Sequence, residues 1–205
     1  MDMQLPIDRR IGISTLCLGR TSLWKAIRHV HDAGFGTFEL VPHLYGGPEA
    51  MDAELRGRIR TALAPFDLAT VHSSSARLPD GRPARIDSED PRYRLQSVMH
   101  YQELAILARD VGARVATFHA GYQVPRGRHT PEQASHVVCG DVISEAVKGS
   151  DMLLGYEFFD GGVIEEIDHP GFGLLFDLGH AAMRSSGDIT EGVLALMQEL
   201  GQHII

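Results

Sequence analysis

The hydrophobic positions of the chain fall into two repeating patterns, short apolar runs and longer stretches with helical spacing. Short runs rich in apolar and β-branched residues are typical of buried strands, whereas apolar residues recurring at helical spacing indicate amphipathic helices. Six apolar runs can be delimited, and each is followed by a helical pattern or a turn. The predicted strands cover residues 11–18, 37–41, 66–72, 112–119, 152–159 and 173–177.

Helix boundaries are marked by capping residues and by proline. Thr21 or Ser22 can cap the first helix, Pro48 suits the first position of the second, and capping boxes begin at Thr130 and Asp188. Residues 201–205 have the pattern of the beginning of a seventh strand. The predicted helices cover residues 22–32, 49–63, 91–111, 130–148 and 188–200, with a short helix or turn at 163–167.

The strict alternation of strands and helices, without a hairpin signal, predicts an α/β fold with parallel strands and right-handed crossovers. An open doubly wound sheet would carry a GxGxxG motif after its first strand, and residues 18–23 lack it. Polar residues at the ends of several strands instead favour a (β/α)8 TIM barrel. Since such a barrel typically needs about 250 residues, we expect one incomplete domain over residues 1–205. It would hold about six βα units plus the start of strand seven.

Composition narrows the classes of partner and compartment. The chain is 43% hydrophobic and 22% charged, as in ordinary globular domains, and has neither a secretory signal nor an apolar run long enough for a membrane span. Cys17 and Cys139 fit no CxxC pattern, which predicts a reducing, cytoplasmic location. The net charge of −8 argues against nucleic acid as a partner.

Metal-competent side chains follow the predicted ends of four consecutive strands. His72 and His119 end the third and fourth, Glu157 lies near the end of the fifth, and the sixth ends in the motif Asp177-x-x-His180. In a barrel these ends share one rim. Imidazole and carboxylate together suit a divalent ion, and we expect Mn or Zn, with Mg or Co as alternatives. The competing interpretation is hydrogen-bonded rim histidines and a helix-capping aspartate.

Further polar residues on the same predicted rim are candidates for substrate binding. Glu39 ends the second strand and could hold a substrate hydroxyl, orient a ligand histidine, or bond only to backbone. His72 is a candidate substrate contact as well as a ligand. Arginines in the loops after strands three and four suit phosphate or carboxylate, unless they are merely solvated. They are Arg77, Arg82, Arg85, Arg126 and Arg128, of which Arg126 and Arg128 are the candidate substrate contacts.

These strands and endings resemble the xylose-isomerase-like TIM barrels, a superfamily that includes sugar phosphate isomerases and epimerases and endonuclease IV. In the epimerase branch the strand-five Glu and strand-six Asp bind metal and the His of DxxH holds substrate. By resemblance these are Glu157, Asp177 and His180. In endonuclease IV the strand-three and strand-four His also bind zinc, matching His72 and His119. The matching segments are residues 11–15, 38–40, 71–72, 118–121, 156–157 and 176–180.

The resemblance implies a divalent-metal-dependent sugar or sugar-phosphate isomerase or epimerase, with Glu157 as a metal ligand and as a base. Both branches also require a His on strand seven and a Glu on strand eight, for which this sequence has no positions. A homodimer or a complementing chain could cover the missing strands. Two alternatives are an endonuclease IV-like zinc phosphodiesterase and a catalytically degenerate barrel that acts as a binding protein.

Overall fold

The computed structural model describes residues 11–73, 77–86, 88–119, 139–157, 166–167, 169–184 and 188–205. The strands are β1 Gly12–Ser14, β2 Thr37–Leu40, β3 Leu68–His72, β4 Val115–His119, β5 Leu153–Glu157 and β6 Phe172–Leu174. The α-helices are α1 Leu23–Asp32, α2 Ala53–Leu63, α3 Pro91–Asp110, α4 Leu178–Arg184 and α5 Ile189–Leu200, and residues 139–145 are also helical. Short 3₁₀ helices cover Thr15–Leu18, Pro42–Tyr45, Pro48–Ala50 and Gly201–His203.

The six strands form one parallel sheet in which every strand pairs with its neighbours in sequence, in the order β1 to β6. A doubly wound sheet reverses its strand order part-way, whereas a barrel adds each strand beside the preceding one. The consecutive order therefore confirms the predicted α/β class and is that of an incomplete (β/α)8 barrel, with six strands in the described part of the chain.

The alternation of side chains along each strand separates the packed core from the polar interior face. Phe38, Leu40, Val71, Phe118 and Tyr156 lie on one face and are no more than 2% exposed, because the helices pack against them. The residues between them point to the opposite face, since successive strand side chains alternate. That interior face carries Glu39, His72, His119 and Glu157.

The helices are positioned by apolar stripes and by caps. Leu23, Ile27 and Val30 are buried along one side of α1. Helix α3, the longest at 20 residues, begins with Pro91 in its first turn, and the Asp90 side chain accepts hydrogen bonds from two backbone amides. The predicted helix boundaries near residues 22, 91 and 188 are thus confirmed. None of the helices in the described ranges is long and apolar enough to cross a bilayer.

Two predicted elements near the N-terminus are shorter than expected. The strand predicted over residues 11–18 ends at Ser14, whose side chain accepts a hydrogen bond from Leu16 N and caps a 3₁₀ turn. The helix predicted to start at Pro48 begins at Ala53 instead. Pro48 opens a separate 3₁₀ turn, and the Asp52 side chain caps α2 by accepting from Leu55 N at 2.8 Å.

The sixth strand also ends earlier than predicted. It stops at Leu174, and the Asp177 carbonyl accepts a hydrogen bond from Ala181 N in α4. Asp177 therefore begins a helical turn rather than ending a strand. The seventh strand predicted to begin within residues 201–205 is confirmed only at Ile204, which forms an isolated parallel bridge with Leu174, whereas Gly201–His203 form a 3₁₀ turn. Residues 130–138 of the predicted fourth helix, and residues 163–165 of the predicted turn, lie outside the described residues.

Candidate metal centre

Three side-chain atoms from three neighbouring strands converge at the carboxyl end of the sheet. His72 Nε2 and His119 Nε2 are 2.9 Å apart. Glu157 Oε2 lies 3.2 Å from His119 Nε2 and 3.5 Å from His72 Nε2. The two imidazoles are half-buried and the Glu157 side chain is only 1% exposed. We call His72, His119 and Glu157 the His–His–Glu cluster.

The strand register explains why residues so distant in sequence meet. His119 lies level with Glu157 in the β4–β5 pair, whereas His72 lies level with Thr117, two residues before His119. Strands tilt in a barrel, and this stagger is the consequence. All three side chains share the interior face because level positions on neighbouring parallel strands point the same way.

Contacts behind the cluster hold the end of β4 in place. The Ser73 amide donates to Thr117 O at 3.0 Å, and the His119 amide donates to Ser73 Oγ at 3.2 Å. The buried Tyr101 hydroxyl, from α3, donates to His119 O at 3.1 Å. Both the N–H and the carbonyl of His119 are therefore held by hydrogen bonds. A backbone held in this way restricts the position of the His119 imidazole.

His72 lies between two carboxylates, which determine its charge. Its Nδ1 is 3.3 Å from Glu39 Oε1, and its Nε2 faces Glu157. Burial lowers the pKa of His72, but hydrogen bonds and charge from Glu157 and Glu39 outweigh burial and raise the pKa to about 9. Burial raises the pKa of Glu39, but His72 and a hydrogen bond with Ser14 lower it by more. The pKa of Glu39 is therefore below its usual value.

The geometry and chemistry of the cluster fit a divalent ion. Two imidazole nitrogens and a carboxylate oxygen all lie within 4.8 Å of one another. Three protein ligands of this kind form the usual set of a catalytic zinc site, and ligands about 2.0–2.1 Å from the ion at tetrahedral angles are about 3.3–3.4 Å apart. The observed separations of 2.9, 3.2 and 3.5 Å span that value.

Glu39 fits the supporting role in such a site. A ligating histidine usually donates its other ring N–H to a carboxylate, which fixes the tautomer and makes the ligating nitrogen more basic. Glu39 faces Nδ1 of His72 and leaves Nε2 directed at the cluster. Strands β2 to β5 therefore bring together three potential ligands and one carboxylate placed to orient His72.

The other candidate residues lie elsewhere or outside the described residues. Asp177 is half-buried before α4 and, among the described residues, does not belong to the compact His–His–Glu cluster. His180 lies in α4, but the position of its side chain is not described. Arg126 and Arg128 lie outside the described residues. Two other loop arginines bond to residues of their own loop, and Arg82 also donates to Gln96 in α3 at 3.0 Å. Arg77 donates to Gly81 O at 2.8 Å, and Arg82 pairs with Asp80 at 2.6 Å.

Sequence patterns did not single out Ser73, Tyr101 or Ser14, which support the cluster. Tyr101 lies on the buried face of α3, where its hydroxyl needs a partner, but the sequence does not show that the partner is the carbonyl of His119. The serine after His72 is one of three consecutive serines, and only the register selects Ser73.

A family model described as the xylose isomerase-like TIM barrel matches residues 27–204. The chain belongs to this family. The match includes Glu39 and the whole His–His–Glu cluster. No curated protein sequence is significantly similar to the chain.

Several solved structures share the fold. A D-tagatose 3-epimerase-like protein is 21% identical, with 95% of this chain and 73% of that chain covered and a TM-score of 0.63. The D-psicose 3-epimerase of Clostridium cellulolyticum H10, solved with D-tagatose, is 11% identical, with 94% and 70% covered and a TM-score of 0.70. A xylose isomerase domain protein from Planctomyces limnophilus is 17% identical, with 95% and 70% covered and a TM-score of 0.68. At these low sequence identities, the similarity to the three structures shows a shared fold and nothing more.

Proposed function

We propose that this protein is a divalent-metal-dependent isomerase or epimerase of sugars or sugar phosphates. The observation that carries the proposal is the convergence of His72, His119 and Glu157 at the carboxyl end of a barrel sheet, where barrel enzymes have their active sites. The sugar epimerases among the structural neighbours support the reaction class at the level of the fold.

The His–His–Glu cluster would hold the ion, and Zn or Mn suits its mixture of nitrogen and oxygen ligands. When bound, the ion would polarise the carbonyl and the adjacent hydroxyl of a ketose, making the neighbouring C–H more acidic. Glu39 would hold the His72 ring in this orientation, with the Glu39 carboxylate and the His72 ring close together as an ion pair. In the proposed scheme Asp177 and His180 at the start of α4 supply a further ligand and a contact to substrate hydroxyls.

Glu157 is the proposed base. Its carboxylate is directed into the cluster, and it would accept the proton from the carbon beside the ketose carbonyl. Return of that proton to the same face regenerates the starting sugar. Return to the opposite face, which gives the epimer, requires a second acid. Exchange of the carbon-bound proton with solvent is therefore a more direct readout of Glu157 than formation of epimer.

The test is deuterium incorporation at C3 of D-tagatose, D-psicose, D-fructose and L-ribulose, incubated in D2O with protein and Mn or Zn. We expect incorporation into at least one ketose, and its loss in Glu157→Gln. The matched control is Glu145→Gln, because Glu145 is an exposed surface residue that pairs with Lys148 at 2.8 Å and lies outside the His–His–Glu cluster. No incorporation into any ketose by protein that retains metal would contradict the proposed reaction.

One observation favours a second candidate, a zinc phosphodiesterase. The close pair of His72 and His119 gives the site more nitrogen than carboxylate ligands, which suits zinc. The net charge of −8 opposes binding to a phosphate backbone. Cleavage of DNA at an abasic site, abolished by chelator and by His119→Ala, would support this candidate over the epimerase. Metal retention without either activity would instead indicate a binding protein.

A further inference from the structure

A cavity of about 390 Å³ lies outside the barrel, apart from the His–His–Glu cluster. Its walls come from the 3₁₀ turn Pro48–Ala50, the loop at residues 78–80 and the middle of α3. Leu78, Pro79 and Met99 give it apolar walls. The volume lies in the range of about 300–1,000 Å³ that is usual for small-molecule sites.

A buried histidine with one uncommitted ring nitrogen lines this cavity. His100 is 6% exposed, and its Nδ1 lies 2.7 Å from Glu49 Oε1. Among the described residues, no hydrogen bond or ion pair involves its Nε2. When the ring is neutral and Nδ1–H donates to Glu49, Nε2 can only accept a hydrogen bond. The cavity therefore offers an acceptor to a ligand that carries an N–H or O–H donor.

The charges around the cavity select among such ligands. Three carboxylates line it, and no lysine or arginine among the described residues does. Asp80 is neutralised by Arg82 at 2.6 Å. Glu103 lies 3.6 Å from Arg56, and Asp110 is paired both with Arg56 at 2.9 Å and with Arg109 at 3.2 Å, so two guanidinium groups serve these two carboxylates. Among the described residues Glu49 pairs with His100 and with no lysine or arginine, so when His100 is neutral the negative charge left at Glu49 favours a cation.

We propose that the cavity between α3 and the loop at residues 78–80 binds a small organic ammonium compound. The ammonium group donates to His100 Nε2 beside the carboxylate of Glu49, and the apolar body packs on Leu78 and Met99. This site uses no residue of the His–His–Glu cluster, so it stands independently of the proposed reaction.

Benzylamine is the probe that tests this site, with benzyl alcohol and benzoate as uncharged and anionic counterparts. The readout is the methyl resonance of Met99 in protein labelled with 13C-methyl methionine, assigned with Met99→Leu. The titration is run at about pH 8, where an alkylammonium group is still charged. We expect a saturable shift with benzylamine, binding at least about tenfold weaker for benzyl alcohol, and no shift with benzoate.

Two variants localise the binding. Glu49→Gln removes one charge without changing shape, and we expect it to weaken benzylamine binding about tenfold. His100→Phe removes the acceptor and should weaken binding similarly, provided that its circular dichroism matches that of the wild type. Glu54→Gln, which removes a carboxylate that does not line the cavity, should leave binding within about twofold. Equal binding of benzoate, equal effects of Glu49→Gln and Glu54→Gln, or no shift with benzylamine would overturn the proposal.

Discussion

At the scale of single residues, the candidate site depends on the orientation of one imidazole. His72 has a carboxylate at each ring nitrogen, Glu39 at Nδ1 and Glu157 at Nε2. If an ion replaces the proton at Nε2, Glu39 continues to hold Nδ1–H, so the ring needs no rotation to become a ligand. In the proposed site Glu39 would thus position His72 rather than bind the ion itself.

Glu39→Gln should weaken metal binding by about 10- to 100-fold while leaving the fold intact, because losing a partner of a ligating histidine typically has an effect of that size. Competition with a chromogenic chelator measures the Kd for Zn directly. Glu191→Gln, on the exposed surface of α5, is the matched control and should bind Zn as the wild type does. Unchanged Zn affinity in Glu39→Gln would show that Glu39 does not orient His72.

At the scale of elements, helix α3 links the rim to the core. Its Tyr101 donates to the carbonyl of His119, its Gln102 donates to the carbonyl of Val142, and its Arg109 donates to the carbonyl of Ala146. The helix starts at Asp90, whose carboxylate accepts from the amides of Arg92 and Tyr93. Without the Asp90 carboxylate, these two amides would have only water as a hydrogen-bond acceptor.

Asp90→Ala should lower the free energy of unfolding by about 1 kcal/mol, the usual effect of removing a helix N-cap. Urea unfolding followed by circular dichroism measures the change. Glu89→Ala is the matched control, since Glu89 is the exposed neighbour that lies outside the cap. Asp90→Ser should restore most of the lost stability. If Glu89→Ala and Asp90→Ala destabilise equally, the effect is one of charge and not of capping.

The elements that the sequence predicted well are those with local signals. Pro91 after Asp90, and Asp188 three residues before Glu191, encode helix starts in adjacent residues, and both start as expected. Pro48 carried the same signal but opens only a 3₁₀ turn, because Asp52 four residues later caps α2 more effectively. The proline alone could not distinguish the two outcomes.

The candidate site was predictable in part for a similar reason. Strand-end positions brought His72, His119 and Glu157 together as candidates, since all parallel strands end at one rim. The end of β6 was misjudged because the apolar run at 174–176 continues past the last paired residue, Leu174. Contacts such as Tyr101 to His119 depend on how α3 rotates on the sheet, which sequence alone does not encode.

At the scale of the whole molecule, the stagger of neighbouring strands sets the shape of the rim. His72, His119 and Glu157 lie on three neighbouring strands, and a residue-level slip in any pair would turn one side chain into the core. In the proposed metal site, binding and folding would therefore be linked, because only the folded sheet assembles the three side chains.

Bound Zn should raise the thermal midpoint of unfolding. At a free concentration about 100 times its Kd, a ligand adds about 2.7 kcal/mol, which corresponds to a Tm increase of roughly 5–10 °C for a chain of this size. Differential scanning calorimetry with Zn, and then with excess chelator, measures the gain and its reversal. His119→Ala should lose the gain, and His31→Ala, which removes an exposed histidine, should keep it. An equal gain in both variants would place the Zn elsewhere.

The central claim is that His72, His119 and Glu157 bind one divalent ion. A crystal structure of Zn-loaded protein with data collected across the zinc absorption edge tests it most directly. The predicted result is a strong anomalous peak about 2.0–2.2 Å from Nε2 of both histidines and from a Glu157 carboxylate oxygen. A fully folded, zinc-soaked protein with no peak at these three side chains, or with its peak at other residues, would contradict the account.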